Sequence, residues 1–262
     1  MLTEPFVLRA LAAAVMLAIL AGSLGCFITW KRMVFLGDSL AHSALLGIVL
    51  GVALGANLQL ATLIFSVFYA LLLVWLERHA NLTTDSILGT LAHSGLALGL
   101  VILALLERPD INLHGYLFGD ILTVNSVDLT WIVLGAILIL AGLIKFKQDL
   151  ILCAIHEDLA RSEGVSVNRL NMIFTFMMTI AIAISIQVIG LLLITSLLII
   201  PPATSRLISK NPNQMIVFAI MFGFIAVVSG GMASIFLDLP TGPVMVVAAS
   251  ALFMLIVPFR QI

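Results

Sequence analysis

Charge is scarce in this chain. Asp, Glu, Lys and Arg make up 10% of its 262 residues, against roughly 25% in soluble domains. A soluble fold has no way to dress its surface with so few charges. With 62% hydrophobic residues, the chain reads as a polytopic membrane protein. The net charge of -1 excludes a basic surface for nucleic acid. Cysteine is nearly absent too. Cys26 and Cys153 form no CxxC pair, which excludes a disulfide framework and a thiolate metal site. Catalytic signatures are missing. There is no GxxxxGK[ST] phosphate loop, so the chain does not itself hydrolyse a nucleotide by the usual route. His156-Glu157 lacks the second histidine of a zinc-protease motif, and no G-x-S-x-G elbow occurs. These absences argue against an enzyme of those classes. Low-complexity stretches, Ser/Gly linkers and clear internal repeats are also lacking, so one membrane domain over 1–262 is the simplest organisation. No signal peptide is expected, because the apolar run 6–29 is too long and its basic pair, Lys31-Arg32, follows it.

What is present is a series of apolar runs about 20 residues long, the length that crosses a bilayer as a helix. Nine are predicted: 6–29, 34–55, 58–76, 86–106, 128–145, 170–186, 188–206, 214–236 and 243–259. The expected fold is all-α, with eight or nine membrane helices. With the N-terminus outside, Lys31, Arg32, Arg78, Lys145, Lys147, Arg161, Arg169, Arg206, Lys210 and Arg260 all fall inside. Only Arg9 and Arg108 of the 12 basic residues fall outside. This bias predicts N-outside and C-inside. The outer loop 107–127 carries Pro109, Gly115 and Gly119 among apolar residues, and reads as an interfacial helix or a docking surface. The longest inner loop is 146–169. Within it Glu157 to Glu163 reads as a short helix stopped by Gly164. It is either a handle for a cytosolic partner or a solvated connector.

Polar residues inside the spans carry the functional signal. Asp38 and His42 lie four residues apart in VFLGDSLAHSALLGIVLGVALG, on one face of a helix and one turn apart. An acid at membrane depth costs about 2.5–3.5 kcal/mol on insertion scales, and a carboxylate beside an imidazole can share a divalent cation. The other reading is that Asp38 caps its helix. Gly47, Gly51 and Gly55 follow at the same spacing, a smooth seam for a neighbouring helix. His93 in the fourth span is either a buried hydrogen-bonding group or a transport ligand. Asp238, in SIFLDLPTGP, is a second ligand or the start of a turn. Pro201-Pro202 predicts a kink or a stop.

Several motifs occur in order: GDSLAH (37–42), YLFGDILTV (116–124), EDLARSEGV (157–165), VIGLLLITSLLIIPPAT (188–204) and DLPTGP (238–243). Together they resemble the bacterial metal-uptake ABC permeases of the zinc, manganese and iron group. The likeness runs along nearly the whole chain and is strongest to the zinc permease subunit, which shares the AHS run at 92–94 and SLLIIP at 196–201. The chain departs from the common PAATA pattern with PPATS at 201–205. The resemblance implies an ABC importer permease in the bacterial inner membrane, working as a homodimer with one path between the copies. It implies a cytosolic ATP-binding subunit docked on the inner loop, at Glu157, Asp158, Arg161 and Gly164. It also implies a periplasmic zinc-binding protein at the outer face. The family's metal positions map onto Asp38 and His42, with Asp238 as a third. No permanent cofactor is expected; Zn²⁺ is the transported substrate, and imidazole with carboxylate suits it better than Mn²⁺. The alternatives are the same permease fold carrying Mn²⁺ or Fe²⁺, or a secondary transporter driven by an ion gradient.

Overall fold

The computed structural model describes residues 5–80, 82–106, 119 and 121–259. Among these there are helices and no strands. In chain order they are α1 (Pro5–Lys31), α2 (Phe35–Ala53), α3 (Leu58–His79), α4 (Thr84–Leu105), a 3₁₀ turn (Ile121–Thr123), α5 (Ser126–Ile155), α6 (Glu157–Ser162), α7 (Val167–Ile208), α8 (Pro212–Leu237), α9 (Thr241–Ile256) and a final 3₁₀ turn (Val257–Phe259). Nine stretches among the described residues are long and apolar enough to cross a membrane, α7 supplying two of them. They overlap the nine apolar runs one for one, the fifth extending ten residues further, to Ile155. Most of the expected outer loop, 107–118 and 120, lies outside the described residues.

Helix ends follow local chemistry. Asn57 opens α3 by accepting from the Leu60 N–H at 3.2 Å, and Asn211 opens α8 by accepting from Gln214 at 2.9 Å, as N-cap residues do. Gly55 is the third glycine of the expected seam, but it stands beyond the end of α2 with φ +62°. There the Ala56 N–H reaches the Gly51 carbonyl at 2.9 Å and the Gly55 N–H reaches that of Val52 at 3.2 Å, the paired bonds of a Schellman ending. Gly47 and Gly51 do form the seam: a Cβ on Gly47 would sit 3.0 Å from Phe65 Cβ, and one on Gly51 2.8 Å from Ala61 Cβ, both on α3.

The chain's contacts gather into two units. One holds 1–32, 114–145 and 185–262; the other holds 33–113 and 146–184. In the first unit α1 packs along α8, and α8 along α9. The α1–α8 contact is built from small residues, Gly22 over the backbone of Ala219 and Ile220, and Ala18 over Gly223. Small residues let helices approach closely where lipid removes the usual hydrophobic drive. In the second unit α2 is the centre, with α3 and α4 against it.

Two expectations need correction. The inner loop is shorter than 146–169: α5 continues to Ile155 and α7 begins at Val167, so only 156–166 connect them. A helix satisfies its own backbone, so nothing obliges it to end where its apolar run does. The second concerns Pro201-Pro202. The helix runs through both, and the non-helical backbone is instead at Gly190, with φ 76° and ψ 166°, a conformation essentially reserved for glycine. Proline at 202 leaves the Leu198 carbonyl without its helical donor. That carbonyl is met by α1 at Gly25, where an added Cβ would fall on the oxygen. The helix thus does not stop at the two prolines, and α1 packs against the carbonyl that Pro202 frees.

Candidate functional site

Asp38 stands in the first turn of α2, where a negative charge is favoured by the helix dipole. The N-cap position is Val34, which makes no side-chain capping bond, and Asp38 lies four residues on, inside the helix. His42 lies one turn on, and both residues are half-buried. The His42 Nδ1 is 2.7 Å from the Asp38 carbonyl oxygen. A carbonyl only accepts, so Nδ1 carries the proton and donates. In the neutral ring, Nε2 then keeps its lone pair. A backbone carbonyl orienting the far nitrogen of a histidine is a common way of presenting the near one to a metal.

Between the two, Ser39 faces the neighbouring helices. Its hydroxyl is 2.8 Å from Tyr69 OH on α3 and donates to the Leu88 carbonyl on α4 at 3.0 Å. The α2–α4 register follows from that bond and from two glycines. A Cβ on Gly95 would meet His42 and Ser43 at 3.9 Å, and one on Gly99 would meet Leu46 at 3.7 Å. Residue numbers rise together, so the helices run parallel and His93 stands level with His42. Yet Leu88, Ala92, Gly95 and Gly99 form the buried face of α4, whereas His93 is exposed. At about 100° per residue, its side chain points away from α2. The structure brings His93 to the right height without bringing it to Asp38 and His42.

Asp238 belongs to the other unit. It ends α8 in the left-handed region, φ 53° and ψ 46°, with its N–H on the Ser234 carbonyl. The Ser234 hydroxyl secures the turn by donating to the Leu239 carbonyl at 2.6 Å. Asp tolerates this conformation better than most residues, which gives it a structural duty whatever else it does. Among the described residues, no three His, Cys, Asp or Glu side chains gather to hold a metal.

The short helix α6 carries the other candidates. Val165 N–H donates to the Ala160 carbonyl at 2.9 Å and Gly164 N–H to that of Arg161 at 3.1 Å. Gly164, at φ +82°, thus ends α6 in a Schellman motif, as its sequence position predicts. Arg161 donates to Glu157 at 2.6 Å. That hydrogen bond, and then the charge of Glu157, hold the Arg161 proton more tightly than usual. Ile155, His156, Glu157, Asp158, Leu159 and Ser162 line an open cleft of ≈690 Å³. Ile155 and Leu159 are exposed there beside two acids, an amphipathic surface on a rigid turn.

A family model, the ABC 3 transport family, matches residues 3–260. The chain is 38% identical over 246 residues to the high-affinity zinc uptake system membrane protein ZnuB of Haemophilus influenzae, covering 94% of each chain. It is 30% identical over 256 residues to the manganese transport system membrane protein MntC of Halalkalibacterium halodurans, covering 97% of this chain and 87% of that one. Among solved structures it superposes with a TM-score of 0.86 on a chain of PsaBC from Streptococcus pneumoniae in complex with Fab, at 27% identity, covering 97% of this chain and 91% of that one.

Proposed function

Because the chain belongs to the ABC 3 transport family, matched from residue 3 to 260, we propose that it is the membrane permease of an ATP-driven importer that passes Zn²⁺ across the bacterial inner membrane into the cytoplasm. The observation that carries the metal reading is the His42 Nδ1 bond to the Asp38 carbonyl at 2.7 Å, which leaves Nε2 as the ring's acceptor one turn along from an acidic residue. Two ligands suit transport: a closed four-ligand cage holds zinc structurally, whereas an open shell lets it go. Asp238, in its own unit, and His93, on the exposed face of α4, are further metal candidates. The likeness to zinc uptake permeases supports zinc over other metals.

In this reading the whole chain is one permease domain with its N-terminus outside, and it works as a homodimer among membrane lipids. A periplasmic zinc-binding protein delivers the ion. A cytosolic ATP-binding subunit grips α6, where Glu157, Asp158, Arg161 and the Gly164 stop form the contact. The rigid Schellman ending and the exposed apolar pair favour α6 for that task over a slack connector.

The test is zinc uptake into vesicles holding the chain with its ATP-binding partner. Uptake should require ATP, and should cease when the partner's ATP hydrolysis is blocked. Uptake that follows a proton or sodium gradient without ATP would identify a secondary transporter. The relation to a manganese permease favours a second reading, manganese as cargo. It prevails if manganese outcompetes zinc in the same vesicles.

A further inference from the structure

Three helices meet at one hydroxyl. Ser39 is fully buried and Tyr69 is 4% exposed. The Ser39 hydroxyl donates to the Leu88 carbonyl at 3.0 Å. A serine has one proton to give, so the 2.8 Å contact with Tyr69 runs the other way: the phenol donates to Ser39 Oγ. The result is a directed chain, Tyr69 O–H to Ser39 O–H to Leu88 carbonyl, tying α3 and α4 to α2. Chains of this kind strengthen their members where water is excluded. Its anchor on α2 is the residue between Asp38 and the rest of the site.

We propose that Ser39 and Tyr69 are positioning residues that fix the rotation of α2, and so aim Asp38 and His42 at the transported divalent cation. This rests on the reading of those two residues as the ion's ligands. The α4 side leaves the angle of α2 open to small change: Gly47 and Gly51 approach α3 closely, whereas even a Cβ added at Gly95 or Gly99 would come no nearer α2 than 3.7 Å. A directed hydrogen bond on each side removes that freedom. A rotation of about 10° moves a side-chain tip roughly 6 Å from the axis by about 1 Å, several times the ~0.2 Å tolerance of a metal–ligand bond. Packing alone does not hold so fine a setting; the hydroxyl chain does.

The experiment measures uptake of radioactive zinc, with manganese as competitor, in cells holding the complete transport system with only this chain varied. Tyr69→Phe keeps the ring and its packing but removes the donor. We expect the half-saturating zinc concentration to rise about tenfold, as outer-shell losses do at metal sites. The maximal rate should stay near that of the parent, and preference for zinc over manganese should fall. Ser39→Ala leaves the buried phenol unpaired and should lower thermal stability as well. The double variant Ser39→Ala/Tyr69→Phe leaves no buried hydroxyl unpaired, so its stability should recover while the tenfold loss persists. Recovery of uptake together with stability in the double variant would reduce the chain to a structural role and overturn the proposal. So would parental half-saturation and metal preference in Tyr69→Phe. Asp38→Ala and His42→Ala, run alongside, separate the two readings. If they transport zinc normally, the ligand assignment itself is wrong. If they are dead while the hydroxyl variants are normal, only the positioning claim fails.

Discussion

Gly25→Ala probes the closest helix contact in the first unit. An added Cβ would fall on the Leu198 carbonyl oxygen, and would lie 2.6 Å from Pro202 Cγ and 2.9 Å from the Leu198 carbonyl carbon. Ordinary contact begins at 3.4 Å, so the shortfall is about 0.8 Å at the ring and 0.5 Å at the carbonyl carbon, and it is largest at the carbonyl oxygen. Neither group can step aside, one being backbone and the other a proline ring. The two helices must part by close to 1 Å. A gap of 0.5–1 Å forfeits a quarter to a half of the dispersion well for each atom pair it opens. Overpacking of this kind costs typically 1–3 kcal/mol, so we expect a loss of about 2 kcal/mol, roughly a thirtyfold shift in the unfolding equilibrium. The assay is denaturant unfolding of the purified protein in detergent. Gly89→Ala is the internal control, because nothing lies within 4 Å of a Cβ there. It should gain about 0.5–1 kcal/mol from helix propensity. If Gly25→Ala proves as stable as Gly89→Ala, the α1–α7 contact reasoned from the doubled proline is wrong.

Other outcomes follow from the same geometry. His42→Gln places its amide near the free Nε2 and should keep more zinc uptake than His42→Asn, whose amide mimics the bonded Nδ1; the reverse order in transport assays would reassign the ligand atom. Gly190→Ala should lose about 1–3 kcal/mol in denaturant unfolding, because its φ of 76° and ψ of 166° suit glycine alone; an unaffected variant would mean the break is not held. Leu159→Asp on the exposed face of α6 should leave the chain in the membrane yet abolish co-purification with the ATP-binding subunit, whereas intact co-purification would move the contact elsewhere.

Much of this was legible in the residues, for physical reasons. The spans show themselves because crossing a bilayer requires about 20 apolar residues in a row. The α5 overshoot does not, because a helix leaving the membrane needs no apolar signal. Asp38 and His42 are visible as a pair because helical periodicity sets one above the other. The bond from Nδ1 to the carbonyl is implied by the same spacing, once a histidine is known to turn back along its helix. Pro201-Pro202 announces what the backbone loses there, but not that Gly25 of α1 presses against the freed carbonyl. Gly190 looks like any helix glycine until its φ is known. His93 is conspicuous as a polar residue in a span, yet its facing depends on which side of α4 meets α2, and that follows from Gly95 and Gly99. Ser39 and Tyr69 lie 30 residues apart with no pattern to join them. Only the fold brings them together.

The most direct test of the account is zinc uptake under chelation by Asp38→Ala and His42→Ala chains, with each chain's amount in the membrane measured alongside. The account predicts that uptake is abolished while both proteins stay in the membrane at parental levels. Normal uptake by both would contradict it, and would remove α2's polar pair from the ion's route.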